Sequence, residues 1–314
     1  MLFFLKVAKV TKKNREYQLF AFILPQICFK MTVFKTIKDL QIYLSPFISN
    51  GINIGFVPTM GALHQGHLSL IEESKRQNKL TICSIFVNPT QFNDPKDFEK
   101  YPITIEADKT LLTDRNCDIL FLPSVNEMYP NGTSLNNNYK LGFIETVFDG
   151  SHRPGHFQGV CQVVENLLRI VQPTNLYLGQ KDYQQCMVIA KLVELMGWNE
   201  KLIIHICSTL RETDGLAMSS RNVRLAETER KQATAIYKSL IATKSKFIEN
   251  DLNKLMETQK LFLLNNGFDS IDYLTIANAN TLEPLTEWDG KQKIVLLIAA
   301  FIGGVRLIDN MLLN

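Results

Sequence analysis

The sequence has little of what marks exported, metal-binding or nucleic-acid-binding proteins. Its six cysteines, Cys28, Cys83, Cys117, Cys161, Cys186 and Cys207, stand far apart with no paired C-x-x-C spacing. That excludes the zinc-ribbon and dithiol patterns and leaves reduced core thiols as the expectation. The longest apolar run, KIVLLIAAFIGG near the C-terminus, is too short to span a bilayer. The opening MLFFLKVAKV lacks the order of basic region, apolar core and small-residue cleavage site that a secretion signal needs. A cytoplasmic protein outside the membrane is therefore expected. A block of basic residues is also missing. The formal charge of +3 arises in residues 1–30, where Lys6, Lys9, Lys12, Lys13, Arg15 and Lys30 face only Glu16, and the rest carries 28 basic against 30 acidic residues. A body so close to neutral gives no footprint for a nucleic-acid partner.

What is present is a chain of 314 residues with 46% hydrophobic content, enough for one large or two ordinary domains. Residues 1–30 match nothing in the organisation that follows, and Met31 opens MTVFKTIKDLQIYL, a segment that reads as a chain beginning. Residues 1–30 are therefore expected to be an extension outside the fold, with translation starting at Met31; the intact mass of the native protein checks this. From residue 52 short apolar runs (INIGFVP, LTICSIFVN, CDILFLP, NLYLG, KLIIHIC) alternate with helical patterns, the rhythm of α/β units around a mainly parallel sheet. Val160, Val163, Val164, Leu167, Leu168 and Val171 recur with helical period on one face. After about residue 208 the pattern changes. A loop is followed by a helix holding Ala233, Ile236, Tyr237, Leu240 and Ile241, a further helix, and two β-type runs, IDYLTIAN and KIVLLIAAF, which predict a smaller α+β domain.

Three segments carry candidate chemistry. PTMGALHQGHLSLI sets His64 and His67 beside Gly61 and Gly66 between a strand and a helix. A metal site would need at least a third ligand, and no other histidine is linked to this loop. Core packing suits a loop position poorly. A strand, a glycine loop and a helix start instead leave backbone N–H groups and a partial positive charge where an anion would sit, with imidazoles as added donors. LGQKDYQQ, again at a strand end, puts Lys181 and Asp182 on the same rim, a phosphate partner and a ribose partner; a solvated helix start is the other reading of this stretch alone. GLAMSSRN joins Ser219 and Ser220 to Arg221, whose guanidinium forks onto phosphate oxygens, although alone it reads equally as a surface loop open to phosphorylation. Together the three imply a triphosphate held while its α-phosphorus is attacked.

These segments, with SIFVNPTQFNDPKDFEKYP and RPGHFQGV, occur in an order and spacing that resemble the pantothenate synthetase (pantoate–β-alanine ligase) family, from about Met31 to Asn310. The resemblance implies an ATP-dependent ligase. Pantoate attacks ATP to give pantoyl adenylate and pyrophosphate, and β-alanine then displaces AMP to form pantothenate. It implies a Rossmann-like parallel-sheet nucleotidyltransferase domain over 31–208, a smaller α+β lid domain over 209–314, a homodimer, and magnesium on the triphosphate. By matching position, the ATP segments fall on Met60, Gly61, Ala62, Leu63, His64, Gln65, Gly66 and His67, on Gly179, Gln180, Lys181 and Asp182, and on Met218, Ser219, Ser220 and Arg221, with a main-chain adenine contact at Leu210. His67 matches the family's proton donor, and His64, Lys181 and Arg221 are its expected phosphate partners. Gln91 and Gln185 match the glutamines that bind pantoate, Gln91 also being assigned to β-alanine, and Arg153 and His156 fall in a block near the site.

Two positions depart from the family pattern. Gln180 stands where it usually reads glutamate in GEKD, and Ile103 follows YP where it usually has arginine. At neutral pH pyrophosphate needs little help from a proton. His67 is therefore expected to act by hydrogen bonding and charge. No residue identifies itself as the base for the β-alanine amine, and no metal ligands are assigned. The rival readings are another HxGH adenylyl- or cytidylyltransferase, separated by product analysis, and a nucleotide-binding regulator without catalysis.

Overall fold

The computed structural model describes residues 31–93, 98–135, 137–248 and 251–314. The extension 1–30, with Cys28, lies outside them. Residues 31–314 pack as one compact unit with two sheets. The first has six parallel strands in the order β1-β4-β3-β2-β5-β6, namely β1 (Thr32–Phe34), β2 (Ile54–Thr59), β3 (Leu80–Ile85), β4 (Ile119–Phe121), β5 (Asn175–Gly179) and β6 (Ile203–Cys207). Helices α1 (Ile37–Ser49), α2 (Gln65–Gln77), α3 (Ile105–Asp114), α4 (His156–Val171) and α5 (Tyr183–Leu195) flank it.

Successive side chains of these strands point to opposite faces, and along the inner strands β2, β3, β4 and β5 both faces are covered, so each of these four feeds two cores. Phe56, Ile82, Ile119, Phe121, Leu176 and Leu178 join Leu40 and Leu44 of α1, Leu168 of α4 and Ile189 of α5. The alternate residues Val57, Cys83, Ile85, Leu120 and Tyr177 join Leu70 and Ile71 of α2 and Leu112 of α3. That explains why the strands read as near-continuous apolar runs. The chain leaves β2 in one direction through β3 and β4 and returns on the other side as β5 and β6. The carboxyl ends of β2 and β5 therefore flank the reversal, where open α/β sheets hold their ligands.

The second sheet is antiparallel, β7 (Ser270–Asn278), β8 (Ile294–Ile302) and β9 (Val305–Leu312). Helices α6 (Ala235–Lys246) and α7 (Leu252–Asn265) supply Ile236, Leu240, Leu255 and Leu263 to one face, against Leu274, Ile276, Leu296 and Ile298. On the other face Val295 and Leu297 meet Phe148 and Tyr183 from the first part of the chain. This sandwiching makes β8 buried along nearly all its length.

The parallel sheet and the added α+β portion agree with the fold expected from sequence, with three corrections. Two β-type runs were expected after residue 208, but β9 makes a third, reached through a tight turn at Gly303 and Gly304, both at positive φ, the conformation a two-residue hairpin demands. Strand β1 was also not foreseen, because three residues are too short for any period. Ile241 is 44% exposed, and Ser239 and Thr243 are buried in its place. The thiols of Cys83, Cys117, Cys161 and Cys186 are free and buried, and that of Cys207 is free and half-buried.

Candidate active site

Beyond the ends of β2 and β5 the surface opens into two adjoining cavity lobes of about 560 and 220 Å³. Met60, Gln91, Lys181, Asp182, Gln185, Ser219 and Arg221 line both. His64, Gly66, His67, Gly179, Leu210, Met218 and Ser220 line the smaller lobe, and Arg153 and His156 the larger. All three candidate phosphate segments thus reach one cavity, together with both glutamines. Gly61, Ala62, Leu63, Gln65 and Gln180 line neither lobe. Ile103 is 73% exposed and also lines neither.

The histidine loop differs from the expected cradle of free backbone donors, because most of its N–H groups are already engaged. Gly61 N donates to Thr59 Oγ1 (3.2 Å), Ala62 N and Leu63 N donate to the Asp108 carboxylate (3.0 and 2.8 Å), and His67 N donates to His64 O (2.8 Å). His64 caps α2: its Nδ1 accepts from Gly66 N (3.2 Å), while His67 Nδ1 accepts from His64 N (3.4 Å). A Cβ on residue 66 would stand 2.9 Å from the His64 ring, so glycine is needed for this cap. A phosphate therefore meets imidazole here, and the amides serve to aim it.

Those bonds also decide the tautomer. An Nδ1 that accepts a backbone N–H carries no proton, so each neutral ring keeps its proton on Nε2. The rings lie 4.0 Å apart between centroids. Burial, then the neighbouring Lys181, hold His64 down to about 4; burial, then His64 and Lys181, hold His67 down to about 3. At pH 7 both are neutral Nε2–H donors.

Residues outside the sequence motifs arrange the rest. Asp108, on α3 and 1% exposed, accepts from Thr104 Oγ1 (3.1 Å) as well as from the two loop amides, and so fixes Ala62 at a positive φ of 49°. Asn88 donates to Gln91 Oε1 (3.2 Å) and to Gly159 O (3.1 Å), and accepts from Tyr129 OH (2.8 Å). Gly159 lets α4 approach this turn, since a Cβ there would lie 2.1 Å from Thr90 O. His156 Nδ1 donates to Gln91 O (2.8 Å) and its Nε2 accepts from Arg153 (3.1 Å). Burial, then Arg153, lower His156 to about 4. Gln180 turns away from the cavity and donates to Asn310 Oδ1 (3.2 Å). A sequence signal did exist for one of these: an aspartate facing inward on an amphipathic helix, as Asp108 is in α3, needs a buried partner.

A parallel sheet whose reversal point presents imidazoles, a lysine and a Ser-Ser-Arg loop to one cavity defines a nucleotidyltransferase-type active site. The comparisons with known proteins narrow that class. The family model described as Pantoate-beta-alanine ligase matches residues 32–312. A protein named pantothenate synthetase from Cytophaga hutchinsonii is 44% identical over 281 residues, 88% of this chain and 98% of its own. One of the same name from Fervidobacterium nodosum is 43% identical over 290 residues, 90% of this chain and 100% of its own. Among solved structures, pantothenate synthetase from Thermus thermophilus superposes with a TM-score of 0.82 at 37% identity, covering 90% of this chain and 99% of that one. Pantoate-beta-alanine ligase from Francisella tularensis, complexed with beta-gamma ATP and beta-alanine, gives 0.74 at 38% identity over 90% and 98%. The chain belongs to the pantoate-beta-alanine ligase family and is an acid–amino-acid ligase.

Proposed function

We propose that this ligase activates pantoate on the rim between β2 and β5 and passes it to β-alanine in the same cavity. A carboxylate is a poor electrophile because oxide leaves badly. The pantoate carboxylate oxygen attacks the α-phosphorus of ATP, the bond to the β-phosphate breaks, and pyrophosphate leaves. The β-alanine amine then attacks the acyl carbon of pantoyl adenylate, and AMP leaves as the amide forms. The observation that carries the residue assignment is the meeting of three segments, distant in sequence, at one cavity with Gln91 and Gln185.

Lys181 and Arg221 offset the charge of the triphosphate, and Ser219 and Ser220 add hydroxyl donors. His64 and His67 present Nε2–H groups to the phosphates. With Nδ1 unprotonated and the ring neutral, His67 acts as a hydrogen-bond donor and does not release a proton. Preorganised donors of this kind count most where charge builds in the transition state. Gln91, held by Asn88 and His156, and Gln185 orient pantoate.

Among the described residues no group of three His, Cys, Asp or Glu side chains is placed to hold a metal, and Asp182 is the carboxylate lining the smaller lobe. That donor set fits a magnesium held chiefly by triphosphate oxygens and water with one carboxylate, Asp182; when bound it would neutralise phosphate charge. Residues 209–314 supply Ser219–Arg221 and form the lid. A homodimer is the expected assembly, and the outer edge of β6, with Ile203 61% and Ile206 40% exposed, is the apolar strand edge open to a second copy. Among the described residues no helix is long and apolar enough to cross a membrane.

The test is ATP–pyrophosphate exchange. Exchange is expected only when pantoate is added, and pantothenate and AMP only when β-alanine follows. Exchange that ran with a different acid and not with pantoate would remove the substrate while leaving the reaction class.

A further inference from the structure

The turn that carries Lys181 is held from the far end of the chain. Gln180–Asp182 is a single three-residue turn after β5, and its preceding residue Gly179 provides no side-chain cap. Lys181 Nζ lies 3.8 Å from Asp182 Oδ1, too loose a pair to set the side chain. The restraint comes from Asn310 on β9, 2% exposed. Its Nδ2 donates to the carbonyls of both Gln180 and Lys181 (2.8 Å each), and its Oδ1 accepts from Gln180 Nε2 (3.2 Å). One planar amide thus grips two consecutive carbonyls and a side chain.

The same strand grips the third phosphate segment. Asn310 N donates to Asp309 Oδ1 (2.8 Å), and the Asp309 carboxylate, buried in the sheet, receives the two arms of Arg211 (2.6 and 3.0 Å). Arg211 also donates to Gly215 O (3.1 Å) and Asn310 O (3.4 Å), closing the loop that leads to Ser219–Arg221. Two adjacent residues of β9 therefore touch the base of both loops that present cations to the cavity.

We propose that Asn310 is a positioning residue for Lys181, and that Asp309 and Asn310 together set the Lys181 turn and the Ser219–Arg221 loop as one phosphate-binding unit. The proposal rests on the reading of Lys181 as a phosphate contact. Asn310 borders the larger lobe, but its side-chain donor and acceptor are both taken up by the turn, so it acts by fixing the backbone from which Lys181 projects. Aspartate has the same shape without the N–H donors, and alanine has neither donor nor acceptor.

The experiment compares Asn310→Ala in two backgrounds, native and Lys181→Ala, by the kcat and KM for ATP in pantoate-dependent exchange, with thermal unfolding measured alongside. In the native background kcat/KM should fall about 10- to 100-fold, as for the loss of two buried hydrogen bonds that aim a charge. In the Lys181→Ala background the further loss should stay below about 3-fold, because interacting residues are not additive. Asn310→Asp carries the same comparison if the alanine variant unfolds. Equal losses in both backgrounds, or native exchange in Asn310→Ala, would overturn the proposal while leaving Lys181 in place. Undiminished exchange in Lys181→Ala itself would overturn the reading of Lys181, and this proposal with it.

Discussion

The two imidazoles and Lys181 face one cavity but are held there by opposite means. The backbone of the histidine loop is restrained mostly by itself: Thr59, His64 and His67 take up four of its amides within nine residues, Asp108 takes two from a distance, and Gln91 and Arg115 reach only the side chains of Met60 and Gln65. The Lys181 turn takes its restraint from Asn310, roughly 130 residues along the chain and on a different sheet. A catalytic element made of local bonds is a spacing pattern, whereas one braced across the fold is a property of tertiary packing. The first can be aimed by a glycine and two histidines. The second exists only once β9 has paired.

The largest expected effect breaks the local element. Replacing His67 with alanine deletes the Nε2 donor and the Nδ1 acceptor of His64 N together. Adenylation, read as kcat for pantoate-dependent exchange, should fall about 100- to 1,000-fold, the scale for a lost transition-state donor. The dissociation constant for ATP, by calorimetry, should weaken less than about 10-fold. Equal losses in both would mean that the ring binds the ground state as strongly as the transition state.

A smaller effect probes the loop's distant anchor. Asp108→Asn keeps the shape, but its amide can accept on one side only, leaving Ala62 N or Leu63 N facing an N–H₂ group. One buried donor without its partner should destabilise the chain by about 1–3 kcal/mol, measured by urea unfolding. Exchange should drop with it, and Thr104→Val, which removes only the third bond to Asp108, should do less of both.

Much of the fold was legible because it rests on short-range patterns. The inner strands of the parallel sheet read as apolar runs since both their faces are covered, and α4 showed its buried face in one line of sequence. The three site segments were legible for the same reason, being loops at strand ends with donors at close spacing. What was not legible lies in pairings between distant residues. Asp108, Asn88 and Asn310 are short polar residues of common type, and each acquires its role only from a partner more than 40 residues away or from a backbone that packing brings near. The expectation of free amides failed likewise, because nothing near the loop announced that a carboxylate from α3 would occupy them. The departure at Gln180 was visible, yet its consequence was not: the side chain serves the brace to β9 and stays out of the cavity.

Acid separates the two elements without a mutation. His64, His67 and His156 are lowered from 6.5 to about 4, about 3 and about 4. Folded, they stay neutral at pH values where the unfolded chain takes up protons. They therefore leave stability unaffected above about pH 7, and stability declines as the pH falls through 6.5 toward 4, by at most ~1.4 kcal/mol per pH unit for each ring. The structural consequence is local. A protonated Nδ1 can no longer accept, so the bonds from His64 N and Gly66 N open first, while the Asn310 amide does not titrate and keeps its hold on Gln180 and Lys181. Hydrogen exchange at pH 4 against pH 7.5, expressed as protection factors, should show loss at His64 and Gly66 and retention along β9. Parallel loss at both elements would mean that the histidine loop and the brace open as one unit, and the contrast between local and distant restraint would not hold.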